Sequence, residues 1–394
     1  MKRFSAQFIY TNSGPPIKRG LISVDNDGTI LSVENYDCAL KENQSVEFYN
    51  GIIIPGFVNC HSHLELSHLK GVIDEGNGLG DFLMKVRNVR NINPDDIISS
   101  AHSADRDLYN EGIVLCADIC NTTDTFEIKK KSRIQYLNML EVFGIIPEKA
   151  VHRMEEIISV VKKADEMLLP YFLVPHSVYS VSLPLFRLLK EKTLTNRVTS
   201  IHFMETESEV SFISNHSGPL RKSYEEAGLL PKNPEMPENH LTAILNEVTP
   251  SGNLILVHNT FADRNTIKEV KKRGNTFWCL CPDSNLYIDK KVPPVEVLIS
   301  EGCEIVIGTD SLASNKKLSI LSELKTLQRH FPAIPLEVLV RWATINGAKA
   351  LGKDDIFGKI VPGMKPGLLL LENLDLVNLR LLPETSVIRL NYER

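Results

Sequence analysis

The stretch PGFVNCHSHLELSHLKG, Pro55 to Gly71, carries His61, His63 and His68 directly after the apolar run GIIIPGFV. A buried imidazole without a partner is costly to desolvate. A His-x-His pair on a strand points both rings to one face, because side chains alternate with period two. Other apolar runs of the chain also end in groups that bind metals or move protons: His176, His202 with Glu205 three residues on, His258, and Asp310. Two neutral imidazoles joined by a third histidine and a carboxylate suit a divalent transition metal, zinc first and ferrous iron as the alternative. Such an ion lowers the pKa of bound water from about 15.7 toward about 7, which supplies hydroxide at neutral pH. Hydrolysis is the chemistry this set implies.

Something must carry these groups to one place. Apolar runs bounded by turn residues recur after GFVNCHSH, at 112–119, 134–144, 169–180, 197–205, 253–260, 275–282 and 303–311. Helix-like segments separate most of them, for example 147–167 and 335–352. Near-continuous apolar strands alternating with helices predict a parallel sheet buried on both faces, here a (β/α)8 TIM barrel. In that fold the carboxyl ends of the strands converge on one face, which is where His61, His63, His176, His202, Glu205, His258 and Asp310 all fall. The other six histidines (His68, His102, His152, His216, His240 and His330) fall in predicted helices or loops.

The flanks have a different texture. Residues 20–34 alternate around an Asp-Gly turn and predict a hairpin. Short strands resume after the last barrel helix, so a small β-sandwich domain built from 1–54 and 357–394 is expected beside a barrel of 55–356. The long Gly-, Pro- and Asn-rich stretch 206–240 follows the fifth strand on the catalytic face and is read as an active-site lid.

Composition narrows the classes of function. The 394 residues are 43% hydrophobic and 24% charged with a net charge of −5, the balance of a soluble globular protein. No basic stripe points to nucleic acid as a partner. The densest basic run, Ile128 to Arg133, is read as a solvated helix end or turn. No apolar segment approaches the length of a membrane span, and the opening MKRFSAQFIYTNSGPP lacks the sustained apolar region of a secretory signal. The seven cysteines are scattered singly, which predicts reduced, packed thiols in a cytoplasmic protein, with Cys116, Cys120, Cys279 and Cys281 in the core rather than on a metal. Trp278 and Trp342 are also assigned to the core.

These motifs resemble the amidohydrolase superfamily over nearly the whole chain. The likeness is to the branch that holds S-adenosylhomocysteine and methylthioadenosine deaminases, aminofutalosine deaminase and triazine hydrolases. It rests on PGFVNCHSHLELSHLKG, VPHSVYSVS, IHFMETESE, LVHNT, CPDSNL, GTDSLASN and ATINGAKALG. The resemblance implies His61, His63, His202 and Asp310 as metal ligands. It implies Glu205 and His258 as the acid–base pair, with Asp310 also taking a proton from water, and His176 and Ser314 as substrate contacts. HLELS, with Glu65, is closer to the aminofutalosine deaminases, and Glu65 is read either as a substrate contact or as an ion-pair partner in the barrel mouth. VPGMKPGLLLLE lacks the Asp common after the Gly-Lys turn, a departure confined to the small domain. No Lys stands at the fourth strand end, which favours one metal per chain over a bridged pair.

The implied activity is hydrolytic removal of an exocyclic amine from a purine-like or related heterocycle by metal-bound hydroxide. The alternative keeps the site and breaks another C–N or C–Cl bond, in a triazine or a cyclic amide. A non-catalytic binding protein on the same fold would need a broken ligand set, and this one is complete. The expected partners are a small heterocyclic substrate and, in assembly, a second copy of the chain as a homodimer.

Overall fold

Strands buried on both faces cannot tolerate unpaired backbone groups, so the eight apolar runs pair with one another. A computed structural model describes residues 1–35, 45–89, 93–248 and 251–390, and Cys38 lies outside them. The amino-terminal strands are β1 (Lys2–Ile9), β2 (Ile17–Lys18), β3 (Leu21–Val24), β4 (Ile30–Glu34) and β5 (Val46–Pro55). The barrel strands are β6 (Phe57–Ser62), β7 (Ile113–Cys120), β8 (Gln135–Val142), β9 (Tyr171–Pro175), β10 (Val198–Phe203), β11 (Asn253–His258), β12 (Thr276–Leu280) and β13 (Glu304–Ile307). Two more, β14 (Leu368–Glu372) and β15 (Ser386–Arg389), follow the last barrel helices.

The fold is a (β/α)8 barrel with a small β domain drawn from both ends of the chain. Strands β6 to β9 pair in parallel order, as do β10 to β13. Two narrow seams join these halves. At one, Ser177 bridges His202, and the His202 N–H donates to the His176 carbonyl at 2.9 Å. At the other, Ser62 bridges Asp310, and the His61 carbonyl accepts from Thr309 N at 2.9 Å and Asp310 N at 3.0 Å. Gly308 lets the second seam close, since a Cβ there would stand 2.8 Å from the His61 Cβ and 2.9 Å from the Cys279 and Cys281 sulfurs. The seams carry the metal-type residues.

Alternation along the strands builds two cores. Cys60, Ala117, Leu137, Met139, Val257 and Val306 fill the barrel interior, and Trp278 and Trp342 are buried, as expected, in the layer between strands and helices. In the small domain β5 lies parallel to β1 and antiparallel to β14, with Ile53 opposite Leu370. Phe4, Ile22, Ile53, Leu368 and Leu370 make its core, so the two chain ends share one sheet. The hairpin predicted over 20–34 is β3–β4, turning at Asp25–Thr29 with Gly28 at φ +88°.

Two local expectations are revised, and the 206–240 stretch gains its secondary structure. The fourth strand ends at Pro175 rather than near residue 180, because Pro175 precedes a turn in which His176 Nδ1 meets Ser180 Oγ at 2.6 Å. Within the 206–240 stretch, read as a lid, Glu207–Asn215 and Pro219–Glu226 are helices. The Ile128–Arg133 run is a helix end whose Lys130 and Lys131 are exposed, but Lys129 is buried in an ion pair with Asp118 at 2.5 Å. Among the described residues no helix is long and apolar enough to cross a membrane. The described cysteines are free thiols: Cys60, Cys116, Cys120, Cys279 and Cys281 are buried, and Cys303 is partly so.

Candidate active site

His61 lies on β6, and His63 sits just past it, where the chain passes into a 3-10 turn over Leu64–Leu69. Their Nε2 atoms face each other at 3.1 Å, and Asp310 Oδ1 stands 3.5 Å from the first and 3.3 Å from the second. His202, from β10, brings a ring nitrogen within 4.8 Å of those of His61 and His63. Its Nδ1–H donates to the His176 carbonyl at 2.7 Å, so Nε2 is left as a bare lone pair. All four groups are buried.

Burial is the main reason the His63 ring is held well below the usual imidazole range, and the same effect brings His202 down to about 4. Burial works against ionisation of Asp310 as well, but its hydrogen bond with His61 and the neighbouring rings hold it well below the usual carboxylate range. Converging neutral nitrogens beside an ionised carboxylate are what a divalent cation requires, and three nitrogens with one oxygen suit zinc. The residues present fit a metal.

Residues of positive φ stand at or just past the strand ends that carry these groups: Met204 (+49°), His258 (+76°), Asn259 (+61°) and Asp310 (+55°). His258 ends β11 and receives a hydrogen bond on Nδ1 from Asn285 Nδ2 at 3.2 Å, which leaves its proton on Nε2. That Nε2 lies 3.7 Å from Glu205 Oε1. Burial pushes the Glu205 carboxyl well above the usual carboxylate range, helped by the charges of Asp310, Glu209 and Asp289. A buried carboxyl whose neutral form is favoured by its surroundings therefore faces the metal-type cluster.

A cavity of about 520 Å³ opens over this floor. Leu79, Phe82, Leu83, Phe143, Ile145 and Leu229 form apolar walls, while His63, Glu65, His176, Glu205, His258 and Asp310 reach its interior. Glu65 is tied to the loop after β7, accepting from Asn121 N and Thr122 N at 3.2 Å and from Thr122 Oγ1 at 3.0 Å. Ser314 does not line the cavity, where Ser311 does; it lies behind Asp310 and donates to its Oδ2 at 2.6 Å.

The amidohydrolase family model matches residues 52–389, which takes in the barrel and most of the carboxyl-terminal part of the small domain. The chain belongs to the amidohydrolase family. Among curated relatives, an adenosine deaminase from Helicobacter pylori is 25% identical over 323 residues, 78% of this chain and 76% of its own. A 5-methylthioadenosine/S-adenosylhomocysteine deaminase from Pyrococcus abyssi is 26% identical, over 79% of this chain and 72% of its own. Among solved structures, aminofutalosine deaminase from Helicobacter pylori in complex with methylthio-coformycin superposes with a TM-score of 0.79 at 22% identity, covering 95% of this chain and 93% of that one. The atrazine chlorohydrolase TrzN of Arthrobacter aurescens, complexed with zinc, gives 0.74 at 16% identity, covering 100% and 94%.

Within this amidohydrolase, the sequence pattern brought together His61, His63, His202, Glu205, His258 and Asp310, and it missed their supports. Ser284 donates to Asp310 Oδ2 at 2.7 Å, Asn285 holds His258, and Glu209 accepts from the Met204 and Glu205 amides. Ser284 and Asn285 lie inside CPDSNL, a motif that stood out without any role for these two.

Proposed function

We propose that this amidohydrolase is a metal-dependent hydrolytic deaminase that removes an exocyclic amine from an adenosine-like heterocycle. The observation that carries the reading is the Glu205 carboxyl, buried 3.7 Å from His258 Nε2 and reaching into a largely apolar cavity beside the metal-type cluster. The names of the curated relatives support an adenosine-type substrate. We assign His61, His63, His202 and Asp310 to the metal, with zinc ahead of iron. One ion per chain is favoured because His176, not a bridging lysine, follows the fourth strand.

When bound, the metal lowers the pKa of a water toward about 7. Glu205 donates its proton to the ring nitrogen beside the amine-bearing carbon, which makes that carbon electrophilic. As water adds there, Asp310 takes one of its protons and His258 Nε2–H stabilises the developing charge on oxygen. The proton held by Asp310 passes to the amine and ammonia leaves. The remaining hydroxyl proton returns to Glu205, and the product is the ring carbonyl. Positioned proton transfer of this kind contributes typically about 10²–10⁴-fold. The apolar walls take the heterocycle, Glu65 and His176 are its polar contacts, and Ser314 acts through Asp310.

The test is a screen for ammonia release by the metal-loaded protein across adenosine derivatives, pterins and triazines. Release from an adenosine derivative is expected. Chloride release from a triazine without any ammonia would replace the deaminase reading with displacement of another leaving group.

A further inference from the structure

The N–H groups of Met204 and Glu205 lie beyond the end of β10, where Met204 at φ +49° turns the chain off the barrel. One carboxylate meets both. Glu209 Oε1 accepts from Met204 N at 3.1 Å, and Oε2 accepts from Glu205 N at 2.7 Å. Glu209 is fully buried in the first turn of the helix Glu207–Asn215 and does not line the cavity. Its Oε1 is held in turn at 2.7 Å by Nε2 of His240, also buried, which starts the turn His240–Thr242. Glu209 and His240 thus clasp the two ends of the 206–240 stretch, which gives Tyr224 and Leu229 to the cavity wall.

We infer that Glu209 is a positioning residue for the reaction: its carboxylate fixes the backbone from which Glu205 projects, and His240 fixes Glu209. The inference rests on the reading of Glu205 as the acid. A carboxylate has acceptors for both amides. Glutamine has one, and its NH2 would oppose the second N–H, so Glu209→Gln should release the turn. A displacement of the acid by about 1 Å costs about 10²-fold.

The experiment uses the full-length metal-loaded protein and measures kcat, KM and metal content for Glu209→Gln, Glu205→Gln and the double variant. Glu209→Gln should lose about 10²-fold in kcat with metal content and KM little changed. In the double variant it should cost nothing beyond Glu205→Gln, because residues acting through one group are not additive. His240→Gln, which keeps a donor, should retain most of kcat, whereas His240→Leu should lose it; this pair decides the matter if Glu209→Gln does not fold. A wild-type kcat in Glu209→Gln, or a loss that adds in full to that of Glu205→Gln, would overturn the positioning role. Wild-type activity in Glu205→Gln overturns the acid assignment itself, a separate failure.

Discussion

Ser314 donates its hydroxyl to Oδ2 of Asp310 at 2.6 Å, while Oδ1 of the same carboxylate turns to His61 and His63. Ser284 donates to the same Oδ2 at 2.7 Å, and its hydroxyl lies 2.9 Å from that of Ser314. The carboxylate is thus divided into a held oxygen and a working one. Supports of this kind typically contribute about 10–100-fold to metal affinity or activity. Ser314→Ala, which leaves Ser284 in place, should weaken metal retention by about 10-fold in competition with a chelator. An unchanged affinity would mean that Asp310 is oriented by Ser284 alone.

Removing the metal should abolish activity without unfolding the barrel, whose large core does not depend on an ion as a small zinc domain does. Chelation followed by zinc should restore the rate at about one equivalent per chain, read by elemental analysis. His202→Ala should lose the ion and stay folded by circular dichroism. A variant that kept both metal and activity would remove His202 from the ligand set.

The strand ends were legible because polar groups that finish apolar runs violate the burial pattern unless something pairs with them. His61, His202, His258 and Asp310 stood out for this reason, and their convergence follows from parallel strands alone. The supports were not legible. Ser284 and Asn285 are ordinary polar residues on a helix, and only the tertiary fold brings them to Asp310 and His258, whereas Glu209 meets the Glu205 amide from four residues away. Lys129 was hidden by its neighbours Lys130 and Lys131, since a run of charge looks solvated until one member proves to face inward. In the small domain, the parallel pairing of β1 with β5 joins residues far apart in sequence and leaves no local signature.

The pH profile should carry the signature of Glu205. Burial, with the charges of Asp310, Glu209 and Asp289, lifts its carboxyl well above the ordinary 4.5. The protonated form is the active acid, so kcat/KM should hold steady below the raised pKa and fall as pH rises through it. Glu205→Gln should lose this falling limb, and a limb that persisted unchanged in the variant would assign it to another group.

Glu205→Gln should leave metal content and fold unchanged, because glutamine is nearly isosteric and the ligands are untouched. It cannot donate the proton, so kcat should drop by at least about 10²-fold while KM moves far less. A near wild-type kcat would mean that another group supplies the proton.

Lys129 tests whether the floor of the barrel depends on a charge that no substrate touches. Its ammonium and the Asp118 carboxylate are both fully buried at 2.5 Å, and Lys129 also donates to Asn138 Oδ1 at 2.9 Å. Burial alone would lower the lysine pKa, but the charge of Asp118 outweighs it and raises the value above the ordinary one. Asp118 in turn accepts from Leu64 N at 2.8 Å, the first residue after His63, so the pair anchors the exit of β6. Lys129→Met would strand a carboxylate in the core and should destabilise the protein by about 3–5 kcal/mol in denaturant unfolding. Adding Asp118→Leu removes the stranded charge and should recover most of that loss. A residue of about 1–3 kcal/mol should persist, because the Leu64 amide then lacks its acceptor. If Lys129→Met alone unfolds at the wild-type denaturant midpoint, the pair is not a structural anchor, and Leu64 and His63 are held by the strand pairing of β6 with β7.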